Sequence, residues 1–416
     1  MSEDRSMTYE IVYIAFVSAN FGGVEQKIIG QFDALTAMRA SAHLYLVSSV
    51  RPGERFAREI EKRSNVHVLI NSPNNTINPW TRRREKFDLI SNSLSRYNPN
   101  ATIVYFRYPL ADILFLRFLE QNRAYRFVTE HQEIENKLRI GHFNGNLAQD
   151  ALDFIWGKAV RSRITGFVGV SSQYLENQLS YLDGSRRREK YSLVNGNGID
   201  TTHYHPRSFL GFDGHSLKLL FIGSGYKYQG LHRLLISLDR YYRTNYSVEL
   251  VIHVVGVSVN TTYLSAYLTN PLVRKSVIFH GFVSREDVDR LAEECHLAVN
   301  SLSYHLVGIE VSSTLKAREY FARGIPFVTS SSDSDIEDGC PYTLKVSDNE
   351  DDFDVRNLID FAERMNKDPE HPQAMRQFAV KHLDWSVKMK NLVTFFDHIM
   401  RDVNQGTLST LKKTGV

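Results

Sequence analysis

With 416 residues the chain has room for two or three domains, and 42% hydrophobic against 23% charged residues supplies a large core and excludes a disordered chain. A formal net charge of +3 is too small to mark a nucleic-acid binder. Two cysteines, Cys295 and Cys340, with no CxxC pair, provide neither a disulfide framework nor a zinc site.

The chain opens on the acidic stretch MSEDRSMTYE, and the apolar run behind it, IVYIAFV (11–17), is too short for a signal-peptide core and cleavage site. No later segment reaches the ~18 apolar residues of a membrane span. A cytoplasmic protein is therefore expected, with peripheral contact at the inner membrane face as an additional expectation. IVYIAFV itself predicts a buried parallel strand, followed by the turn SANFGG and a helix over 24–40. HLYLVSS (43–49), VHVLI (66–70), TIVYFRY (102–108), YRFVTEH (125–131) and GFVGVS (166–171) predict further strands, spaced to leave room for helices. TRRREK (81–86), beside Trp80, is a loop or a helix start. This alternation predicts a doubly wound α/β domain over 1–200.

NGNGIDTTHYHP (195–206) is rich in Gly, Asn and Asp and ends on Pro, the composition of a turn-rich linker. A second βα series follows over 207–380, with strands LKLLFIGS (217–224), VELVIHVVG (248–256), SVIFHGFV (276–283), HLAVNSL (296–302) and IPFVTSS (325–331). Helices are predicted at Arg285–Glu294 and 314–323. The last segment, 381–416, is expected to pack back on the first domain through an amphipathic helix over 385–400. Charge divides unevenly between the halves. Residues 1–195 hold 26 Lys+Arg against 20 Asp+Glu, and the remainder 24 against 27. The basic half is either a solvated surface or a match for an anionic, phosphorylated or membrane-linked molecule.

Three glycine turns follow predicted strands: Asn20-Phe21-Gly22-Gly23, Gly223-Ser224-Gly225 and Gly281. Glycine at the carboxyl end of a parallel strand lets backbone N–H groups approach a phosphate. GSGYKYQG (223–230) lacks the Gly-Lys-Ser/Thr ending of a P-loop, and no segment matches GxGxxG. The segment 312–326, SSTLKAREYFARGIP, reads as a hydroxyl-rich loop, a short helix, a terminating Gly and a Pro opening a strand. Ser313 and Thr314 can cap that helix and leave N–H groups for a diphosphate, while Glu319 alone would be an ordinary surface carboxylate. Asp333-Ser334-Asp335 has the spelling of a metal-binding pair but lies among serines, where a solvated loop is expected.

STLKAREYFARGIPFV resembles the (S/T)xLKxxEYxAxGxPVV segment of retaining glycosyltransferases of the GT-B fold, family 4 type (glycosyl transferases group 1). FGGVEQKI (21–28), VGVSSQYLE (168–176), NGIDTTHYHP (197–206), LLFIGSGYKYQGLHRLL (219–235) and VIFHGFVSREDVDRLAEECHLAVNSL (277–302) resemble further stretches of that family in the expected order. YFRYP (105–109) resembles a stretch of its capsule-type members. The resemblance implies two Rossmann-like domains facing each other across a cleft. The first would hold a glycan or lipid-linked glycan acceptor, and the second a nucleotide-diphosphate sugar. The expected activity is transfer of a hexosyl or deoxyhexosyl unit to an acceptor hydroxyl with retention, without metal or other cofactor, in polysaccharide or glycoconjugate synthesis.

Carried onto this chain, the resemblance gives Glu319 to the nucleotide ribose and Ser313, Thr314, Leu315 and Lys316 to the diphosphate. Gly22 and Gly23 would approach the same phosphates, and Gly281, Phe282 and Val283 would line the base pocket. His131 would serve the reacting centre, with Glu130 as its rival on the acceptor side beside Arg107. The family's Arg and Lys in the Gly223 loop are replaced by Ser224 and Gln229, so two phosphate-binding cations are missing; either Lys227, with Lys316 as second candidate, replaces one of them, or activity is lost. The first Glu of the family's E-x7-E pair would fall at Val311, with Glu310 one residue off. Either a bulge brings Glu310 in or donor-sugar recognition differs. Two alternatives follow from these departures and from the fold: a non-catalytic subunit partnering another transferase, or a sugar-nucleotide epimerase or phosphorylase.

Overall fold

The computed structural model describes residues 9–39, 41–71, 78–134, 147–244, 246–258 and 263–404. The chain divides into two compact units. One takes the residues up to Gly196 together with those from Trp385, and the other is Asn197–Asp384.

The first unit is built on seven parallel strands, β1 (Glu10–Phe16), β2 (Ala42–Ser48), β3 (Val66–Ile70), β4 (Thr102–Arg107), β5 (Arg126–His131), β6 (Gly166–Gly169) and β7 (Tyr191–Val194), in the order β3-β2-β1-β4-β5-β6-β7. The strand order reverses between β1 and β4, which pair from Glu10 with Thr102 to Ile14 with Phe106. Ile11, Val12, Ile103, Val104, Phe106, Phe127 and Val128 are buried, as near-continuous apolar runs in a sheet covered on both faces must be. The helix Gly23–Met38 follows β1, and the helix Trp385–Asn404 packs against it. Residues 81–86 lie inside the helix Pro79–Leu94, which Asn78 caps by accepting from the Trp80 amide (2.9 Å). Arg83 is not free for a surface role. It ion-pairs with Asp112 and donates to the Pro109 and Leu110 carbonyls.

The second unit carries six parallel strands, β8 (Ser216–Ile222), β9 (Glu249–Val255), β10 (Val277–Gly281), β11 (Leu297–Val299), β13 (Phe327–Thr329) and β15 (Thr343–Lys345), in the order β10-β9-β8-β11-β13-β15. A two-stranded pair, β12 (Val311–Ser312) with β14 (Ser332–Asp333), stands beside them. Leu217, Leu219, Phe221, Ile252, Val254, Leu297 and Val299 form the centre of its core with Leu231, Leu234 and Leu238 of the helix Leu231–Tyr242.

The expected linker is instead a fixed part of the second unit from Asn197 onward. The Asn197 amide donates to Ser313 Oγ (2.7 Å) and its side chain to the Ser313 carbonyl, while the Ile199 amide donates to the Leu383 carbonyl (2.8 Å). Thr201 donates from both backbone and hydroxyl to Asp384. Asn and Gly make this stretch look like a flexible joint, but here the Asn side chain supplies the hydrogen bonds that a strand ladder would otherwise provide.

Candidate active site

Glycines build the carboxyl edge of the second sheet. Gly223 follows β8, Gly256 follows β9 and Gly281 ends β10, on three neighbouring strands. Gly223 donates to the Val255 carbonyl (3.0 Å) and Gly256 to the Gly281 carbonyl (2.7 Å). Gly256 has φ +81°, and a Cβ there would lie 2.4 Å from the Gly223 oxygen, so a side chain is excluded on both counts. Sequence reading did not single out Gly256; its position at the end of VELVIHVVG was the available signal. Beyond this edge Phe282 is 90% exposed, whereas Val283 packs against the core.

The Gly223 loop is closed from within. Gln229, buried, accepts from the amides of Ser224 (2.9 Å) and Gly225 (3.0 Å) through Oε1. A neutral carbonyl thus holds the N–H groups in the loop where the resemblance expects a phosphate-binding cation. Lys227 is exposed on the short turn that follows, its Nζ 5.9 Å from the Tyr263 ring centroid.

The helix Leu315–Arg323 begins at Thr314, whose hydroxyl accepts from the Ala317 amide (3.1 Å) and donates to Asn300 Oδ1 (3.1 Å). Asn300 follows β11, so the strand end fixes the cap; sequence reading missed this partner. The amides of Leu315 and Lys316 find no acceptor among the described residues. Open N–H groups at the positive end of a helix favour negative charge beside them. Lys316 stands in that first turn. Its Nζ donates to Ser301 Oγ (3.4 Å) and lies 5.4 Å from the Phe221 ring centroid. A Cβ on Gly223 would lie 2.8 Å from the Phe221 ring, so Lys316 and the Gly223 loop share one neighbourhood. Among the described residues no carboxylate lies within 4.0 Å of this ammonium, and burial pushes its pKa down to about 7.

Glu319 is one helical turn further on. Arg323 donates to its Oε1 through Nε (3.1 Å) and Nη2 (3.0 Å), and Oε2 accepts no hydrogen bond among the described residues. Arg323 also pairs with Asp289, and its guanidinium and that of Arg285 flank the Tyr204 ring at 4.9 and 4.2 Å. Glu310 is exposed immediately before β12. Asp333 and Asp335 do not form the solvated loop expected of them. Both ion-pair with the fully buried Arg318, which also donates to the Asn197 carbonyl (2.8 Å). A buried guanidinium needs counter-charges, and the two aspartates supply them. No cluster of three or more His, Cys, Asp or Glu suited to a metal occurs among the described residues.

In the first unit the Gly22 amide is already bonded, to Glu25 Oε2 (3.1 Å), and Glu25 also accepts from Ser18. A Cβ on Gly23 would meet nothing. Glu130, at the end of β5, is 2% exposed. It accepts from Gln31 Nε2 (2.7 Å) and the Tyr13 hydroxyl (3.4 Å) and faces Lys27 Nζ at 3.3 Å. Burial pushes the Glu130 carboxyl up, but Lys27, Arg107 and Gln31 outweigh it and hold it below the usual carboxylate range. His131 is fully buried, its Nε2 2.8 Å from Thr129 Oγ1 and its ring 4.5 Å from that of Tyr108. Arg107 ends β4 next to this cluster.

Two doubly wound units, each a parallel sheet with its glycine turns at the carboxyl edge, define the GT-B fold of glycosyltransferases. Residues 216–366 match the family model described as Glycosyl transferases group 1. No curated protein matches the chain by sequence. Among solved structures the chain is similar to Anabaena Alr3699/HepE in complex with UDP (15% identity, 94% of this chain and 100% of that one, TM-score 0.64). It is also similar to a glycosyltransferase from Rickettsia africae (14%, 95% and 99%, TM-score 0.66). A third is the lipopolysaccharide outer core galactosyltransferase WaaB in its apo form (14%, 93% and 99%, TM-score 0.60). At these identities the likeness establishes the fold. With the matched segment it supports a glycosyltransferase.

Proposed function

We propose that the protein transfers a sugar from a nucleotide-diphosphate donor to a hydroxyl of a glycan or lipid-linked glycan, with retention at the anomeric carbon. The observation that carries the reading is the first turn of the helix Leu315–Arg323. Two open amides and one ammonium without a carboxylate partner converge there, inside the segment matched by the transferase model. Departure of a nucleoside diphosphate concentrates negative charge on its phosphates, and preorganised donors and cations lower that barrier. Lys316 is assigned this task in place of Lys227, which is directed over Tyr263. Glu319 accepts a ribose hydroxyl through Oε2, and Glu310 faces the donor sugar. Gln229 shapes the loop, and His131 positions the end of β5 from within the core. UDP in the Anabaena neighbour makes a uridine donor the first to try. The basic first half, with Trp80, Arg82 and Arg84, is assigned a contact with anionic lipid.

A thermal-shift panel of nucleoside diphosphates and their sugars tests this, because a specific ligand raises the melting temperature by mass action. Glu319→Ala should weaken the stabilising nucleotide roughly 10- to 100-fold, the loss of one hydrogen bond to a charged group, with the fold intact. Unchanged affinity in that variant would remove the ribose assignment. One observation favours a second reading, the non-catalytic subunit: Gln229 and Glu25 already satisfy loop amides that a phosphate would use. A chain stabilised by no member of the panel would favour it.

A further inference from the structure

Ligands of open α/β sheets sit outside the carboxyl ends of the strands, where the strand order reverses. In the first unit that point lies between β1 and β4. Arg107 is the last residue of β4 there, in register with Glu130 of β5. Glu130 is already occupied by Gln31, Tyr13 and Lys27. Arg107 is not. Among the described residues its side chain makes no ion pair and no hydrogen bond, and Nη1 is closed off from solvent without a partner. Its charge still reaches the cluster, since with Lys27 it favours the ionised form of Glu130. Two cations, Lys27 and Arg107, therefore act on the Glu130 carboxylate, and only Lys27 lies within ion-pair distance of it.

A half-buried guanidinium with an unsatisfied nitrogen costs stability, and groups kept at such a cost stand where something else completes them. Its planar fork matches an oxyanion bidentately. We propose that Arg107 binds a phosphate or carboxylate group carried by the acceptor. The basic excess of residues 1–195 works in the same direction. The proposal rests on the transferase reading, and the donor's own diphosphate is the rival source of the anion.

Calorimetry on the full chain, as wild type, Arg107→Gln and Arg107→Lys, separates the two. The probes are glucose 6-phosphate, glucuronate, neutral glucose and the nucleoside diphosphate chosen by the thermal-shift panel. The expected result is binding of glucose 6-phosphate or glucuronate by the wild type, weakened about tenfold or more in Arg107→Gln and partly kept in Arg107→Lys. Neutral glucose should not distinguish the proteins, nucleotide affinity should be equal in all three, and Arg107→Gln should melt no lower than the wild type. The proposal is overturned if neither anion binds the wild type, or if their binding ignores Arg107. It is also overturned if Arg107→Gln loses the nucleotide, which would assign the anion to the donor, or melts several degrees lower, which would make Arg107 structural. A wild type that binds the anions but no nucleotide would instead remove the transferase reading and leave the anion site standing.

Discussion

Lys316 and Arg318 are two residues apart on one helix and meet opposite electrostatic environments. Arg318 is fully buried, and burial would lower its pKa, but Asp333 and Asp335 reverse this and hold it charged. Lys316 has no such partner, and burial brings its ammonium down to about 7. An ordinary lysine titrates near 10.5, so between about 7 and that value the unfolded chain holds a proton that the folded chain has released. Stability from this group therefore rises with pH through that window. Diphosphate binding has the reverse sign, because the anion favours the protonated amine. Nucleotide affinity should fall as pH climbs above about 7, and at pH 8 binding should take up a proton. Calorimetry in buffers of different ionisation heat measures that uptake. Lys316→Met should abolish it and flatten the pH profile; an unchanged profile in the variant would place the titrating group elsewhere.

At the scale of elements, the helix Trp385–Asn404 depends on a gap left for it. A Cβ at Gly30 would lie 2.8 Å from Trp385 Nε1 and 2.9 Å from Cδ1, so the helix Gly23–Met38 must be bare at that position. Gly30→Ala should cost about 1–3 kcal/mol through overpacking, measured by denaturant unfolding, and Trp385→Phe in the same background should recover part of it. A neutral Gly30→Ala would show that the Trp385 ring moves aside freely. The elements that read well from sequence were those with an unambiguous periodicity. Runs such as IVYIAFV and VHVLI are short, apolar and β-branched because both faces of the sheet are covered, and their bounds came out within a residue or two. Strands β7, β12, β14 and β15 were not legible, because two to four residues of mixed polarity carry no period. At the site, Thr314 as cap was legible from its place before the helix, whereas its partner Asn300 lies 14 residues away. The same holds for Asp333 and Asp335. Their spelling suggested solvent or metal, and only the fold shows Arg318 between them.

For the whole molecule, no helix among the described residues is long and apolar enough to cross a membrane, so the proposed lipid contact must rest on surface charge and Trp80, which is 45% exposed. With Arg83 committed to Asp112, the patch reduces to Trp80, Arg82 and Arg84. The protein should float with anionic vesicles at low salt and be released as ionic strength rises, and Arg82→Glu with Arg84→Glu should abolish flotation. Equal recovery with neutral vesicles would count against the contact. The division into two units has a consequence for biosynthesis. The first unit is closed by residues made after the second: the Tyr9 hydroxyl donates to Asp397 (2.9 Å), 388 residues further along the chain. The whole of Asn197–Asp384 is translated in between, which at ~5–20 residues per second takes roughly 10–40 s. Throughout that interval the nascent chain carries a first sheet without the helix that brings Met389, Leu392, Phe396 and Ile399 into its core, while the second unit is still being made. Nascent molecules are thus exposed to aggregation and proteolysis through the first unit for as long as the second is being translated.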